Sequence, residues 1–335
     1  MIRRLFRSGL RAVLPALAVG TLVWGGGSAQ AAKFTPEKPS IKLGLPVAAV
    51  TFLPIYVAKE QKYFEDEGLK VDLLIFRGGT AMVKALIGGS VDIGLTAFAG
   101  VSVGIKAGQP LKVFYGGYNM PVFEWWAIPR IKSIKDSRGA RYGVSTIGSS
   151  TDFLTRYALT SNGINPRTEV KIIQGGASGA RLAAMDAGQL DVNIFSSPQK
   201  FMSADKGYNR ILRQRDLADD YPFHTFFTLE SYIAANPNTL KAFLRAQIRG
   251  IRKAKSDPAA ARAALEKWVK VNPKYTKRTI DDFIDDIHED GRMPSAKGMK
   301  VFFDQGIMSG AYKEQWPESK YLYRGLLDSY QSWKP

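Results

Sequence analysis

One short motif matches a pattern that nucleophilic enzymes use. Residues 100–104 (GVSVG) have the Gly-x-Ser-x-Gly spacing of a nucleophile elbow, and they follow an apolar, strand-like segment. A hydrolytic serine here needs an acid and a histidine downstream, and the sequence contains two histidines, His224 and His288. We favour a different interpretation, in which Ser102 is a buried serine in the first turns of a packed helix. The sequence therefore predicts no enzymatic activity, and a serine hydrolase built on Ser102 is the competing hypothesis.

The sequence contains no motif with the residue types and spacing of a metal site or a phosphate-cofactor site. The chain has no cysteine, its two histidines are far apart, and the acidic residues between Asp281 and Asp290 lack the glycine placement of a calcium loop. We expect those acidic side chains to form the exposed face of a helix. Residues 175–179 (GGASG) lack the spacing of a dinucleotide-binding loop. The sequence predicts no cofactor and no metal site.

A run of small polar residues precedes a helical segment. Residues 148–152 (GSSTD) lie directly after a predicted strand and directly before a predicted helix. Free backbone N–H groups at a helix start, together with the helix dipole, favour an anion by about 0.3–2 kcal/mol. The hydroxyls of Ser149, Ser150 and Thr151 would add hydrogen-bond donors, although Ser150 or Thr151 also suits a helix cap. This segment predicts an anion-binding loop.

The elements that must position this loop are those of an α/β protein. Strands that alternate with helices over short connections form a parallel sheet with helices on both faces, and ligands bind at the carboxyl ends of the strands. The strands are predicted over 41–45, 71–76, 91–95, 141–145 and 170–174, and the helices over 80–87, 151–162 and 179–187. A helical C-terminal region follows, with predicted helices over 238–255, 258–271, 276–290 and 295–306 and a last one near residue 320.

The loops at the strand ends give a set of candidate ligand-binding residues. They combine glycines, small polar residues and aromatic side chains, which suits a pocket with an apolar body and a few polar anchors. The aromatic residues equally suit core or hinge packing. The candidates are Ala49, Thr51, Phe52, Gly79, Thr96, Ala97, Phe98, Asn119, Trp126, Ser149, Ser150, Thr151, Gln174, Gly175, Phe195 and Ser196.

An internal repeat indicates two lobes. Residues 85–93 (ALIGGSVDI) recur as residues 184–192 (AMDAGQLDV), each copy with a helix end, a glycine turn and a buried strand. The repeat aligns Thr96 with Phe195 and Ala97 with Ser196, so the two loops should face each other across a cleft. We predict a first lobe of residues 41–125 plus 223–335 and a second lobe of residues 126–222. Crossovers near 120–128 and 221–228 would form the hinge.

The N-terminus has the features of an export signal. Four arginines flank an apolar run that ends near Trp24, and residues 29–31 (AQA) fit a signal-peptidase site. The run is short for a membrane span, and no later segment is apolar enough to stop transfer. We expect residues 1–31 to be a signal peptide that directs export to the periplasm by the general or the twin-arginine route.

The net charge of +17 indicates an anionic partner. Lysines and arginines are scattered through the chain without a nucleic-acid-binding motif, and an exported protein does not meet nucleic acid. A positive field that attracts anionic ligands is the better interpretation. We predict a monomer that binds a small anionic molecule and no nucleic acid.

Three stretches of the sequence resemble one family. Residues 54–71, residues 85–96, and residues 148–149 with 175–192 are similar in order and spacing to substrate-binding proteins of nitrate, sulfonate and taurine importers. This group also resembles thiamine-pyrimidine precursor proteins, whose cysteine-rich motif is missing here. Lys62 replaces a usual glycine, and Ser197-Pro198 replaces a frequent acidic-Pro pair. The resemblance implies a two-lobe periplasmic-binding-protein fold and an importer made of a permease and an ATPase.

Together these features predict capture of a small organic anion between two lobes. The ligand would be a sulfonate or an aromatic or aliphatic carboxylate, with residues 149–151 holding its charged group and aromatic side chains packing its body. The closed protein would deliver this ligand to an ABC permease and its ATPase. A binding protein that presents its ligand to a chemoreceptor is an alternative that the sequence leaves open.

Overall fold

Ten short strands lie within the part of the chain that is described. The computed structural model describes residues 34–119, 121–217 and 220–335. The predicted signal peptide, residues 1–31, lies outside the described residues. The strands are β1 (Ser40–Leu45), β2 (Lys70–Ile75), β3 (Ile93–Thr96), β4 (Leu111–Tyr118), β5 (Glu124–Ala127), β6 (Arg141–Val144), β7 (Lys171–Gln174), β8 (Val192–Phe195), β9 (Asn209–Arg213) and β10 (His224–Leu229).

The strands form two five-stranded sheets of identical topology. Their orders are β2-β1-β3-β10-β4 and β7-β6-β8-β5-β9. In each sheet four strands are mutually parallel, while β10 in the first and β5 in the second run antiparallel to both neighbours. The sheets are therefore mixed, whereas the sequence pattern predicted parallel-type sheets. Each sheet with its helices forms one lobe.

The antiparallel strands are the two that follow a crossover between the lobes. The chain leaves the first sheet at the end of β4 and enters the second at β5, then returns from β9 into β10. Each crossover reaches the edge where the parallel strands end, so the strand that follows must run in the opposite direction. The two crossovers lie side by side, because the Tyr221 N–H donates to the Asn119 carbonyl over 2.7 Å.

The predicted boundary between residues 125 and 126 falls inside a strand. Glu124 and Trp125, which the sequence assigned to the first lobe, lie on β5 of the second sheet. Trp125 pairs with Ile194 of β8, and its indole N–H donates to Thr155 Oγ1 over 3.1 Å. The reason is that the crossover ends before the tryptophan pair, which belongs to the core of the second lobe.

Helices cover the faces of both sheets, and most of them agree with the predicted ranges within three residues. In the first lobe before the crossover lie α1 (Leu53–Glu60), α2 (Tyr63–Asp66), α3 (Gly79–Ile87) and α4 (Phe98–Lys106). The second lobe holds α5 (Ser150–Ser161), α6 (Ser178–Asp186) and α7 (Gln199–Asp205). The C-terminal region contains α8 (Glu230–Ala235), α9 (Pro237–Ser256), α10 (Pro258–Trp268), α11 (Pro273–Asp281), α12 (Ala296–Met308), α13 (Gly325–Asp328) and α14 (Tyr330–Trp333).

The helix predicted over 276–290 is wrong in its second half. Helix α11 ends at Asp281, and the chain beyond it runs along β4, where the His288 N–H donates to the Gly117 carbonyl over 2.6 Å. Strand β4 is an edge strand, so its free backbone groups need such partners. The prediction that the acidic side chains form an exposed helical face is also wrong at Asp282. Its carboxylate is partly buried and lies 2.8 Å from the Lys200 ammonium of the second lobe.

The core of the first lobe includes a close contact between α1 and α9. Gly250 of α9 lies against the Pro54 carbonyl oxygen of α1, nearer than any side chain would allow. The glycine therefore sets the distance between these two helices. Across residues 34–119, 121–217 and 220–335, no helix is both long and apolar enough to cross a membrane.

A matched pair of glycine substitutions tests this contact. Gly250→Ala is expected to lower the free energy of unfolding by about 1–3 kcal/mol, because the added methyl group overpacks the α1–α9 contact. Gly179→Ala is the control, since Gly179 is also helical but has open space around its Cα. The control should be neutral or stabilising by up to about 1 kcal/mol. Urea unfolding measures both, and equal stability of the two variants would contradict the packing argument.

Candidate ligand-binding site

A pocket lies between the lobes, where the parallel strands of both sheets end. It encloses a cavity of about 70 Å³, and we call it the cleft pocket. Its walls are the loops that follow β1, β2, β3, β6, β7 and β8, completed by the two crossovers. The lining residues are Pro46, Val47, Ala49, Thr51, Phe52, Gly78, Gly79, Thr96, Ala97, Phe123, Ser145, Ser150, Thr151, Ser178, Arg181, Ser196, Phe223 and His224.

Nine of the predicted site residues line this pocket. They come from both lobes, because the carboxyl edges of the two sheets face each other. The repeat-derived alignment of Ala97 with Ser196 agrees with this arrangement, since the two residues follow the equivalent strands β3 and β8. The nine are Ala49, Thr51, Phe52, Gly79, Thr96, Ala97, Ser150, Thr151 and Ser196.

Three aromatic candidates lie in the cores of the lobes instead. Phe98 is fully buried in the first lobe, where its ring centroid lies 4.9 Å from that of Phe302. Trp126 and Phe195 belong to a small apolar cluster of the second lobe that also includes Leu182. Large rings next to a strand end gain most by complete burial, so these side chains turn into the sheet-helix interface rather than into the cleft.

Four further candidates do not line the pocket. Asn119 donates to the Arg292 carbonyl over 2.9 Å and so ties a crossover to the C-terminal region. Gln174 is exposed, because it ends the edge strand β7. A Cβ at Gly175 would lie 2.8 Å from the Arg181 side chain, so this glycine makes room for the arginine. Ser149 holds neighbouring hydroxyls in place, as described below.

The sequence reasoning missed nine lining residues. Ser145 and Ser178 follow strands, so the expectation that ligands bind at the carboxyl ends of strands could have identified them. The burial of Arg181 was signalled weakly by its position on the apolar face of α6, four residues before the buried Met185. The others depend on how the crossovers pack. The nine are Pro46, Val47, Gly78, Phe123, Ser145, Ser178, Arg181, Phe223 and His224.

Arg181 brings an uncompensated positive charge to the cleft pocket. Its side chain is buried, and its guanidinium donates to the carbonyl oxygens of Gly143, Gly176 and Ile194 and to Ser178 Oγ. Burial lowers the pKa of Arg181 to about 10, so the group stays protonated at neutral pH. Within the described residues no carboxylate forms an ion pair with it. A buried charge without a counter-ion is costly, so an anion in the pocket would be strongly favoured.

Three hydroxyl groups form a compact cluster at the start of α5. Ser145 Oγ lies 2.9 Å from both Ser149 Oγ and Thr151 Oγ1, and the latter two are 3.0 Å apart. The Ser145 N–H also donates to Thr151 Oγ1 over 2.9 Å. Because each hydroxyl can rotate, the cluster can exchange an internal hydrogen bond for one to a ligand oxygen.

Four helices begin at the cleft pocket without a side-chain cap. These are α3 and α4 of the first lobe and α5 and α6 of the second. Away from the pocket, α10, α11 and α12 are capped by Asp257, Asn272 and Ser295, while other helices, including α8 and α9, also lack a side-chain cap. The predicted capping by Ser150 or Thr151 does not occur. At the start of α4 the Phe98 N–H donates to the Pro222 carbonyl and the Gly100 N–H to the Ala97 carbonyl. N–H groups that lack such partners at the other helix starts can donate to an anion, and the helix dipoles favour one there.

Four rings form one wall of the pocket, which we call the ring wall. The His224 ring stacks between Phe52 and Phe223, with centroid distances of 4.7 and 4.1 Å, and Phe123 meets Phe223 edge-on at 5.3 Å. Burial lowers the pKa of His224 to about 3, so its imidazole is neutral at neutral pH. His224 Nε2 lies 3.3 Å from Thr51 Oγ1. The histidine is the first residue of β10, as its predicted place in the crossover implied.

Ser102 lies inside α4 and is fully buried. Its hydroxyl donates to the Ala99 carbonyl over 2.8 Å and contacts the Tyr312 hydroxyl. Neither histidine is among its hydrogen-bond partners in the described residues. This environment agrees with the interpretation of Ser102 as a packed helical serine.

Two α/β lobes, joined by two crossovers and enclosing a pocket at their strand ends, form the fold found in periplasmic binding proteins. A protein from Bordetella bronchiseptica RB50 has a similar structure, with a TM-score of 0.78 and 22% identity over 88% of this chain and 97% of that one. The alkanesulfonate-binding protein SsuA from Xanthomonas axonopodis pv. citri has a TM-score of 0.71 and 18% identity, covering 86% and 99%. The predicted fold is confirmed.

The chain belongs to the NMT1/THI5-like family, whose model matches residues 49–261. The putative binding protein YtlA of Bacillus subtilis (strain 168) is 23% identical over 222 residues, which are 62% of this chain and 63% of that protein. The match thus spans less than two thirds of this curated relative. The family resemblance predicted from the sequence is confirmed.

The buried histidine predicts how stability depends on pH. Between about pH 6.5 and pH 3 the unfolded chain binds a proton at His224 and the folded protein does not, so acid favours unfolding. This site should remove up to about 1.4 kcal/mol of stability per pH unit across that range. His224→Phe keeps a ring in the stack and should show a correspondingly shallower acid slope in urea unfolding between pH 4 and 7. Identical slopes for the two proteins would contradict a neutral, buried His224.

Proposed function

We propose that this protein is the periplasmic solute-binding component of an ABC importer, that it captures a small organic anion, and that it acts as a monomer. The observation that carries the proposal is Arg181, a buried cation in the cleft pocket without a carboxylate partner. Four uncapped helix N-termini at the same pocket add to the attraction for an anion. The ligand supplies the missing counter-charge.

Capture follows from the division of the pocket between the lobes. The anionic group binds Arg181, Ser178 and the hydroxyl cluster of the second lobe, and the ring wall covers it from the first lobe and the crossovers. Contacts that cross between the lobes hold this arrangement. The Thr80 hydroxyl donates to the Ile147 carbonyl over 3.2 Å at the mouth of the pocket.

Two similar proteins with named binding roles support this assignment. SsuA is named an alkanesulfonate-binding protein and was solved with MOPS bound, and YtlA is named a putative binding protein. Transfer of these roles to the present chain, including periplasmic export through residues 1–31 and delivery to a permease and ATPase, is part of the proposal. Presentation of the ligand to a chemoreceptor is the second candidate role, and a neighbouring gene pair for a permease and an ATPase would favour import.

A ligand screen tests the anion proposal. Sulfonates, carboxylates, nitrate and neutral pyrimidines are compared by thermal shift, and a tight ligand at 100 times its Kd should add about 2.7 kcal/mol of stability. Anions are expected to stabilise the protein. Stabilisation by neutral compounds alone would refute the proposal.

Substitution of the arginine tests the observation on which the proposal depends. Arg181→Met should weaken binding of the best anion by about 1.5–3 kcal/mol, because a charge-assisted hydrogen bond is lost. Arg262→Met is the matched control, since Arg262 is exposed on α10, far along the chain from the pocket loops. Isothermal titration measures both, and Ser178→Ala provides a milder variant should Arg181→Met unfold. Equal affinities for both arginine variants would contradict the assigned role.

The competing hydrolase hypothesis has its own test. The proposal of a non-enzymatic binder expects no esterase activity in the parent protein on p-nitrophenyl esters, and unchanged anion binding in Ser102→Ala. Activity that disappears in Ser102→Ala would establish the hydrolase instead. Circular dichroism of the variant checks that loss of the buried hydroxyl has not unfolded α4.

A further inference from the structure

The cleft pocket has a polar half and an apolar half. The second lobe contributes the polar half, which contains the hydroxyls of Ser145, Ser150, Thr151, Ser178 and Ser196 and the guanidinium of Arg181. The first lobe and the crossovers contribute the ring wall, apolar residues that follow β1, and the hydroxyls of Thr51 and Thr96. A ligand that spans the pocket therefore meets the charged side chain and most of the hydroxyls at one end and mostly carbon surface at the other.

The polar half supplies one full positive charge. Among the described lining residues Arg181 is the only charged side chain, since burial keeps His224 neutral. Four of the five guanidinium N–H groups already donate, to three backbone carbonyls and to Ser178. One N–H and the freely rotating hydroxyls are left for the ligand. Arg181 provides a full counter-charge for one negative charge, and a second negative charge would find no charged side chain among the described lining residues as its partner.

The apolar half has no charged side chain among its described lining residues that could form an ion pair with a charged tail. His224 makes its polar contact with Thr51, and the other members of the ring wall are phenylalanines. An ammonium or carboxylate placed there would lose its hydration and find no ion partner. A methyl or methylene group would instead gain by leaving water.

The size of the cavity restricts the whole ligand, because the volume covers both halves of the pocket. The enclosed volume is about 70 Å³. An apolar cavity that accepts benzene has roughly 150 Å³. A tail of a few carbon atoms therefore fits this arrangement of the lobes, and an aromatic ring does not.

We infer that the ligand is a short-chain acid with a single negative charge and an uncharged apolar tail. Its head binds the polar half on the second lobe, and its tail packs against the ring wall. The inference rests on the proposed function, because it specifies which organic anions the same pocket accepts. It separates butyrate-like and propanesulfonate-like acids from dicarboxylates, from taurine-like zwitterions and from aromatic acids.

Isosteric ligand pairs test each part of this inference by isothermal titration of the full exported chain. Butyrate should bind at least tenfold more tightly than butyramide, which lacks the charge, and at least tenfold more tightly than succinate, which carries a second one. The affinity for propane-1-sulfonate should exceed the affinity for taurine by a similar factor, because taurine has an ammonium group in place of the terminal methyl group. Benzoate should bind more weakly than butyrate.

Variants assign the two ends of the ligand. Ser178→Ala and Arg181→Met should reduce the preference for butyrate over butyramide and leave the preference for propane-1-sulfonate over taurine in place. Phe52→Ala should reduce the preference for propane-1-sulfonate over taurine and leave the preference for butyrate over butyramide in place. The affinity for propane-1-sulfonate should fall roughly three- to tenfold, because an apolar contact is lost. Arg262→Met should change neither preference.

The possible failures are distinguishable. If succinate, taurine or benzoate binds as tightly as its partner acid, the inference is overturned while the proposed capture of an organic anion stands. If no member of the panel binds and only neutral compounds stabilise the protein, the proposed function itself fails. Thermal melting of each variant without ligand identifies any loss of affinity that comes from unfolding.

Discussion

The arrangement of this protein depends on one constraint, which is that two α/β sheets are connected through the edges where their parallel strands end. Each crossover reaches the new sheet at that edge, so β5 and β10 run against their neighbours. The same constraint turns the strand-end loops of both lobes toward each other. It also brings the starts of four helices to a single pocket, because each helix follows a strand.

This convergence has an electrostatic consequence. Helices α3, α4, α5 and α6 all begin at the cleft pocket, and none of them has a side-chain cap. Other helices, such as α8 and α9, are uncapped too, so what is particular to the pocket is that four uncapped helix starts meet there. Arg181 adds a full charge at the same place. A folded chain that leaves Arg181 without a counter-ion gives up stability, and the proposed anionic ligand would restore it on binding.

The C-terminal region connects the lobes on the outside of the cleft. Helix α11 faces α7 of the second lobe, where Tyr275 donates to Asp205 over 2.8 Å and the Arg278 guanidinium lies 4.1 Å from the centre of the Phe201 ring. Helix α12 stacks Phe302 on Phe153 of α5 at 5.2 Å. The helical tail, which carried little of the family resemblance, thus contributes to the contact between the lobes. Ion pairs in this contact are partly exposed and individually weak.

Local patterns in the sequence determined the alternation of strands and helices, the two-lobe repeat and the strand-end loops, because periodicity and glycine turns act over a few residues. They placed Thr51, Thr96, Thr151 and Ser196 in loops that line the cleft pocket. Only the tertiary structure decided which side chains face the pocket and which face a core, as for Phe52 against Phe98. Burial of Arg181 and neutralisation of His224 likewise depend on residues distant in the chain. The acidic segment after α11 is not helical as predicted, because it hydrogen-bonds to the edge strand β4. No local sequence pattern reveals this contact between residues distant in the chain.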